Sequence, residues 1–402
     1  MFPLLEDGSR DAPELEMILE EVVAARTLGG SIGTKIKALK LPNLCQQNSD
    51  ALVLALFKSE LLDLETFELP TILADQPPAF YRQFIREHCP ALRHLVLPVC
   101  SIANDDGEMA CNFIRGIAEL KTIRGIVPCI ELGSPSMSHV IHTTLESHAR
   151  TLETMEFERG DMIRSGDQQA ILGSCVQLRR LWLDRQHNSK PEGGLQLQDI
   201  LSGAWACLGL RELCLTLDHT INEQVVLEAM RREALVSTDG NTGRNAIKQG
   251  DPVRPENEGA EQDKDKDKDK DKDKDKQNHR AFAWAAKRAY SQIGRLVNLQ
   301  VLAIGVFESD PSSEDTSHAE WDLTLSKGWL AQLTELKNLR ELHLRTNMWA
   351  KMGQAEVEFM DAQWPFLSSI TFSPDRKLQG LVDQPHWRWL RERRPNLRYH
   401  CD

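Results

Sequence analysis

Leu92-Arg-His-Leu95-Val-Leu97, Leu178-Arg-Arg-Leu181-Trp-Leu183, Leu210-Arg-Glu-Leu213-Cys-Leu215 and Leu339-Arg-Glu-Leu342-His-Leu344 are four copies of one line, Leu-x-x-Leu-x-Leu. Weaker copies extend the series at Ile36, Leu64, Leu120, Leu152, Leu299, Leu367 and Leu397. Successive starts from Ile36 to Leu210 lie 28, 28, 28, 32, 26 and 32 residues apart, and the last two intervals are 28 and 30. The upstream residues keep the same phase. Cys89, Cys175, Cys207 and Trp364 stand three before the first apolar residue of a unit, Pro90, Pro365 and Pro395 two before, and Asn298, Asn338 and Asn396 one before. A period held over this length decides the architecture before any local assignment.

Within each copy the last two apolar residues are two apart and share one face of a strand. Between the strands lie stretches with helical spacing at 79–89, 137–152 and 198–207. One strand and one helix in about 28 residues is the unit of a leucine-rich repeat. The sequence therefore predicts an α/β leucine-rich-repeat solenoid of about eleven units, horseshoe-shaped, with parallel strands on the concave face and helices on the convex face. A helix over Pro13–Leu28 with its loop (residues 1–35) caps one end, and Trp387–Arg394 with a short strand at Leu397–His400 caps the other.

The rhythm breaks once. Leu210 and Leu299 are 89 residues apart, so repeats occupy 36–234 and 281–402. Ile221–Leu235 and Ala283–Leu296 read as helices on either side of a segment at 235–280 that holds seven Asp-Lys pairs, Asp263 to Lys276. That tract is nearly free of apolar residues and is expected to be a disordered, solvated expansion. A second excursion, Glu308–Glu320, is acidic and rich in serine, and Ser312 and Ser317 are expected to be loop or cap residues.

Composition narrows the function. A net charge of −12 argues against a phosphate-binding surface, so no nucleic-acid partner is expected. No apolar run is long enough to span a bilayer and no secretory leader is visible. Nine cysteines, four of them in repeat positions, read as small core residues of a reducing compartment, cytosol or nucleus. The motifs that would carry chemistry fail on spacing. Gly29–Lys35 has the threonine and lysine of a phosphate loop in reversed order, and His139, His142 and His148 fit no zinc pattern and read as a solvated helix face. No catalytic residue, metal or cofactor is expected, and a monomer is.

A binding surface is the remaining expectation. Residues between the leucines face the concave side: Lys40, Thr66, Glu68, His94 and Val96 early, Arg124, Glu156, Glu158, Arg180, Trp182 and Asp184 in the middle, Glu341, His343 and Arg345 late. Trp182 is read as exposed beside Arg180, the composition of an interface hot spot for a protein partner. A GTPase-activating role would need a catalytic arginine outside the core, for which Arg124 or Arg345 could stand.

Cys89–Leu97, of the form Cys-Pro-x-Leu-Arg-x-Leu-x-Leu, and Trp364–Phe372, of the form Trp-Pro-x-Leu-x-x-Ile-x-Phe, resemble the repeats of fungal F-box/leucine-rich-repeat proteins over roughly residues 14–400. The resemblance implies repeats that hold a substrate while an F-box docks the adaptor of a cullin-based ubiquitin ligase. An F-box is a three-helix module of about 45 residues beginning near Leu-Pro-x-Glu. The 35 residues before the first strand offer one helix. The expectation is thus a non-catalytic scaffold for a protein partner. The alternative is a substrate receptor whose F-box is lost or encoded upstream of Met1.

Overall fold

The computed structural model describes residues 37–40, 61–68, 78–98, 108–126, 135–157, 163–183, 194–218, 222–239, 266–306, 323–344, 352–372 and 384–401. The N-terminal helix over Pro13–Leu28, the Gly29–Lys35 loop and the serines of 308–320 lie outside them, as do Glu158, Asp184 and Arg345.

The strands are β1 (Ala38–Lys40), β2 (Thr66–Glu68), β3 (His94–Pro98), β4 (Thr122–Ile126), β5 (Thr154–Phe157), β6 (Arg180–Leu183), β7 (Leu195–Gln196), β8 (Glu212–Asp218), β9 (Val301–Val306), β10 (Glu341–Leu344), β11 (Ser369–Phe372) and β12 (Arg398–Cys401). They form one parallel sheet in chain order, except that two-residue β7 pairs with the end of β8 off the main path. Eleven strands on the path answer the eleven units of the sequence: the chain folds as a leucine-rich-repeat solenoid.

The register shows why. Leu95, Ile123, Met155, Leu181, Leu213, Leu302, Leu342 and Ile370 occupy one row across successive strands. All are buried. Behind them the first residues of the repeats, Leu64, Leu92, Leu120, Leu152, Leu178, Leu210, Leu299 and Leu339, form a second row with no accessible surface. No unit encloses these side chains alone; each is covered by its neighbours. In the next row Gly125 stands opposite Phe157, and a Cβ there would lie 2.3 Å from the Phe157 ring, so the ring fills the glycine's place.

Helices back the sheet: α1 (Pro78–His88), α2 (Glu108–Gly116), α3 (Pro135–His148), α4 (Ser165–Ser174), α5 (Leu197–Ile200), α6 (Glu223–Asp239), α7 (Lys266–Gly294), α8 (Gln354–Gln363) and α9 (Pro385–Arg393). Two differ from expectation. The helix at 198–207 ends at Ile200. Trp205 and Cys207 follow outside any helix or strand, the Trp205 indole N–H donating to Gln169 Oε1 at 3.0 Å.

The Asp-Lys tract, expected to be disordered, is helical from Lys266 onward. It is continuous with a well-packed segment in which Ala281, Ala285, Ala289 and Ile293 are fully buried at helical spacing. Once that nucleus exists, adding residues at its N-terminus is cheap, which composition alone does not register. Strands β8 and β9 pair directly, so the ladder closes across the 89-residue interval.

Candidate functional site on the strand face

Alternation within each strand places one residue in two on the open face of the sheet. Two columns cross it there. One runs Thr66, His94, Thr122, Thr154, Arg180, Glu212, Val301, Glu341, Ser369 and Arg398. The other runs Glu68, Val96, Arg124, Glu156, Trp182, Cys214, Ala303, His343, Thr371 and His400.

Four charges bridge four strands. Arg124 Nε lies 2.8 Å from Glu156 Oε2, Glu156 Oε1 lies 2.8 Å from Arg180 Nε, and Arg180 Nε lies 3.0 Å from Glu212 Oε2. Glu212 is absent from the residues singled out in the sequence. Its signal is its register place, directly beside Arg180. The Arg180–Glu156 contact is an ion pair of poor hydrogen-bond angle: both Arg180 Nε and Glu156 Oε1 are buried atoms with no well-formed hydrogen bond. Toward β3, burial pushes the His94 imidazole below the ordinary histidine range; Glu65 opposes that and Arg124 reinforces it.

Trp182 departs from expectation. It is half-buried rather than exposed. The Arg180 guanidinium sits 5.5 Å from its ring centroid, and the His343 ring meets it edge-on at 6.4 Å. Trp182 is on β6 and His343 on β10, with β8 and β9 between. Those strands carry Cys214 and Ala303 in the intervening places. Small side chains there let the two rings meet over them. The contact joins residues 161 positions apart across the insertion, so no local pattern announces it; the signal is two small residues between two rings in one column. His343 Nε2 is a further buried atom without a hydrogen-bond partner, its nearest carboxylate being Glu341 at 3.6 Å.

The structure thus brings Arg124, Glu156, Arg180, Trp182 and His343 into one patch, with Glu341 at its margin. Of six buried side-chain polar atoms lacking a hydrogen-bond partner among the described residues, three are in this patch: Glu156 Oε1, Arg180 Nε and His343 Nε2.

The histidines of α3 divide. His148, expected on a solvated face, is buried, and both ring nitrogens are engaged. Nε2 lies 2.9 Å from the Ile114 carbonyl, and the Leu120 N–H points at Nδ1 at 3.5 Å. The helix turns that position past the surface and into the seam with α2. His142 and Ser138 both reach buried Asp167, at 3.3 and 2.5 Å. A charge-relay triad needs the histidine between acid and hydroxyl. Here the carboxylate is in the middle, and the trio is a tie between α3 and α4. Among the described residues no group of three or more His, Cys, Asp or Glu is arranged to hold a metal ion. None of their helices is long and apolar enough to cross a membrane.

No family model matches the chain, and no curated protein matches it. Among solved structures it is similar to the leucine-rich repeat-containing protein LegL7 from Legionella pneumophila, with 13% identity, covering 84% of this chain and 91% of that one at a TM-score of 0.34.

Proposed function

We propose that the protein is a non-catalytic scaffold that holds a protein partner on its strand face, centred on Trp182. The observation that carries this reading is the cluster of orphaned polar atoms. Buried polar groups are ordinarily hydrogen-bonded. Glu156 Oε1 and Arg180 Nε, held by ion pairs alone, and His343 Nε2 surround a half-buried tryptophan without a well-formed hydrogen bond. A partner that drew these side chains outward would complete their hydrogen bonds, and the half-buried indole beside them would supply the apolar contact. Glu341 belongs to this surface, and the proposal takes in Glu158, Asp184 and Arg345 from the sequence pattern alone. The scaffold acts as a monomer in a reducing compartment, cytosol or nucleus.

Affinity purification of the full chain beside its Trp182→Ala variant tests the reading. The variant should keep its circular dichroism spectrum and lose the specific partner. Unchanged capture by a folded variant sinks the proposal. The ubiquitin-ligase alternative is supported by the resemblance of Cys89–Leu97 and Trp364–Phe372 to F-box-protein repeats. It requires the adaptor and cullin in the same purification.

A further inference from the structure

Large apolar residues exposed on the surface are concentrated along one edge of the solenoid. Six stand out among the described residues, and five of them occupy the turn just before a strand: Leu62, Val176, Leu208, Val297 and Phe366. Val176, Leu208 and Val297 belong to consecutive strands of the path, β6, β8 and β9, and are 52%, 45% and 46% exposed. Scattered single exposures are ordinary; a run across adjacent units marks an interaction site.

The turns also differ from one another in a telling way. Asn298 Nδ2 donates to the Leu208 carbonyl at 3.3 Å, and Asn338 Nδ2 donates to the Val297 carbonyl at 3.0 Å. Each asparagine stands one before its unit's leucine and caps the turn of the unit before it. In the β8 unit that place is Gly209. The rung is missing, and the Val176 carbonyl has no hydrogen bond among the described residues. A Cβ added at Gly209 would meet nothing within 4 Å. The gap opens a cleft of about 350 Å³ lined by Val176, Gln177, Arg179, Gly209, Arg211 and Asn298.

The charge over this cleft is one-sided. Arg211 is exposed and has no carboxylate partner among the described residues. Arg179 has one, Glu153 at 3.8 Å, which also serves Lys121 at 3.2 Å. Two guanidiniums, a free carbonyl, two amides and the Val176 side chain complement a carboxylate next to a bulky apolar residue, with a backbone N–H between them.

We propose that the Gly209 cleft is a second docking site, separate from the Trp182 patch, for an extended segment of a protein partner that presents an acidic side chain beside a large aliphatic one. The missing asparagine rung makes the pocket, Val176 forms its apolar wall with exposed Leu208 adjoining it in sequence beside Gly209, and Arg211 selects the acid.

A displayed random-peptide library panned on the full chain tests this. Enriched peptides should carry Asp or Glu within a few residues of Leu, Ile or Phe. Their affinity should fall by about tenfold or more in Arg211→Glu, and weaken with rising salt. Gly209→Asn, which fills the cleft and restores the rung, should abolish binding while leaving the unfolding midpoint unchanged or raised. Leu208→Ser, at an exposed site, gives an independent loss should the first variant fold poorly. Trp182→Ala should leave these peptides bound, so the two surfaces fail or succeed separately. The proposal is overturned if no peptide is enriched, if the enriched peptides are basic or lack an acid, or if folded Gly209→Asn binds them as well as the parent. Dimerisation in sedimentation that Gly209→Asn abolishes would also overturn it, because the occupant would then be a second copy.

Discussion

The units before the insertion and the units after it build the same ladder of leucines but fill the space behind it differently. In the first block, α1 to α4 back the strands from β2 to β6, and among the described residues only the β6–β8 connection, with the one turn of α5 and the buried Trp205, departs from that pattern. Phe84, Ile85, Phe113, Ile114, Val140 and Ile141 are buried there, and cysteines occupy the turn. In the second block, the described part of the β9–β10 connection is backed by a 3-10 turn, Leu330–Leu333, and indoles supply bulk there. Trp329 stacks on Tyr290 at 5.8 Å, Trp387 meets Phe372 edge-on at 5.1 Å, and Trp364 is fully buried.

The two blocks also meet one shared need with different chemistry. The carbonyl six residues before a unit's first leucine is Ile114 O in one block and Leu333 O in the other. His148 Nε2 binds the first at 2.9 Å, and Trp364 Nε1 donates to the second at 3.2 Å. One partner can titrate and the other cannot. Equivalent seams of a repeat protein can therefore differ in what destabilises them.

The largest effect should come from Trp364→Ala. It removes a fully buried indole and strands the Leu333 carbonyl, and should cost about 3–5 kcal/mol in urea unfolding. Because each unit contacts mainly its neighbours, the loss should fall on the second block. Hydrogen exchange should quicken across β10–β12 and stay slow across β3–β5. A loss spread evenly over both blocks would remove the distinction drawn here.

The leucine rows, the strand order and the unit count were legible because each recurs at a fixed spacing that sets a face. What fills the seams was not. Position in the repeat placed His148 on a helix, but whether that helix turns it outward depends on α2 beside it. Trp182 was legible as a strand-face residue, and its packing was not, because His343 reaches it only across two strands and the insertion. Glu212 and Gly209 show a third kind of loss. Neither is unusual alone. Glu212 matters through Arg180 in the adjacent strand, and Gly209 through the asparagines that hold the same place in later units. The helical start of α7 at Lys266 was hidden because its support is the buried alanine face further along the chain.

Acid should separate the seams next. Burial holds the His148 imidazole below its ordinary range, the hydrogen bond to Ile114 opposing it. The folded chain therefore binds fewer protons than the unfolded chain below about pH 6.5, the unfolded histidine value, and stability falls as pH drops through that region. The geometry agrees: with Nε2–H donating to Ile114, protonation would set an Nδ1–H against the Leu120 N–H. The loss should level off once the pH is below the folded value. His148→Gln should flatten the curve in part, since His94 and His386 are shifted the same way by burial. Hydrogen exchange at mildly acid pH should show the α2–α3 seam opening before the Trp364 seam. Uniform loosening would mean the imidazole is not what distinguishes them.

The smallest effect sharpens the comparison on the strand face, where the first block carries the continuous four-charge chain and the second intersperses Val301, Ala303, Ser369 and Thr371 with Glu341, His343, Arg398 and His400 in the same columns. Arg124 is the most exposed member of the four-charge chain, its side chain 52% accessible. Solvent-exposed ion pairs contribute about 0.2–1 kcal/mol, because water screens the attraction and both side chains lose freedom. Arg124→Ala should therefore change the unfolding free energy by no more than that. Glu156→Ala should cost more than Arg124→Ala, because Glu156 is the less accessible residue and holds Arg180 as well as Arg124. If both changes prove silent, the charges contribute nothing to the fold. Their place on the strand face would then be explained by a partner alone. If Arg124→Ala instead destabilises as strongly as a core truncation, the charged columns are part of the first block's structure. The strand face would then be stabilising the ladder as the indoles of the second block do.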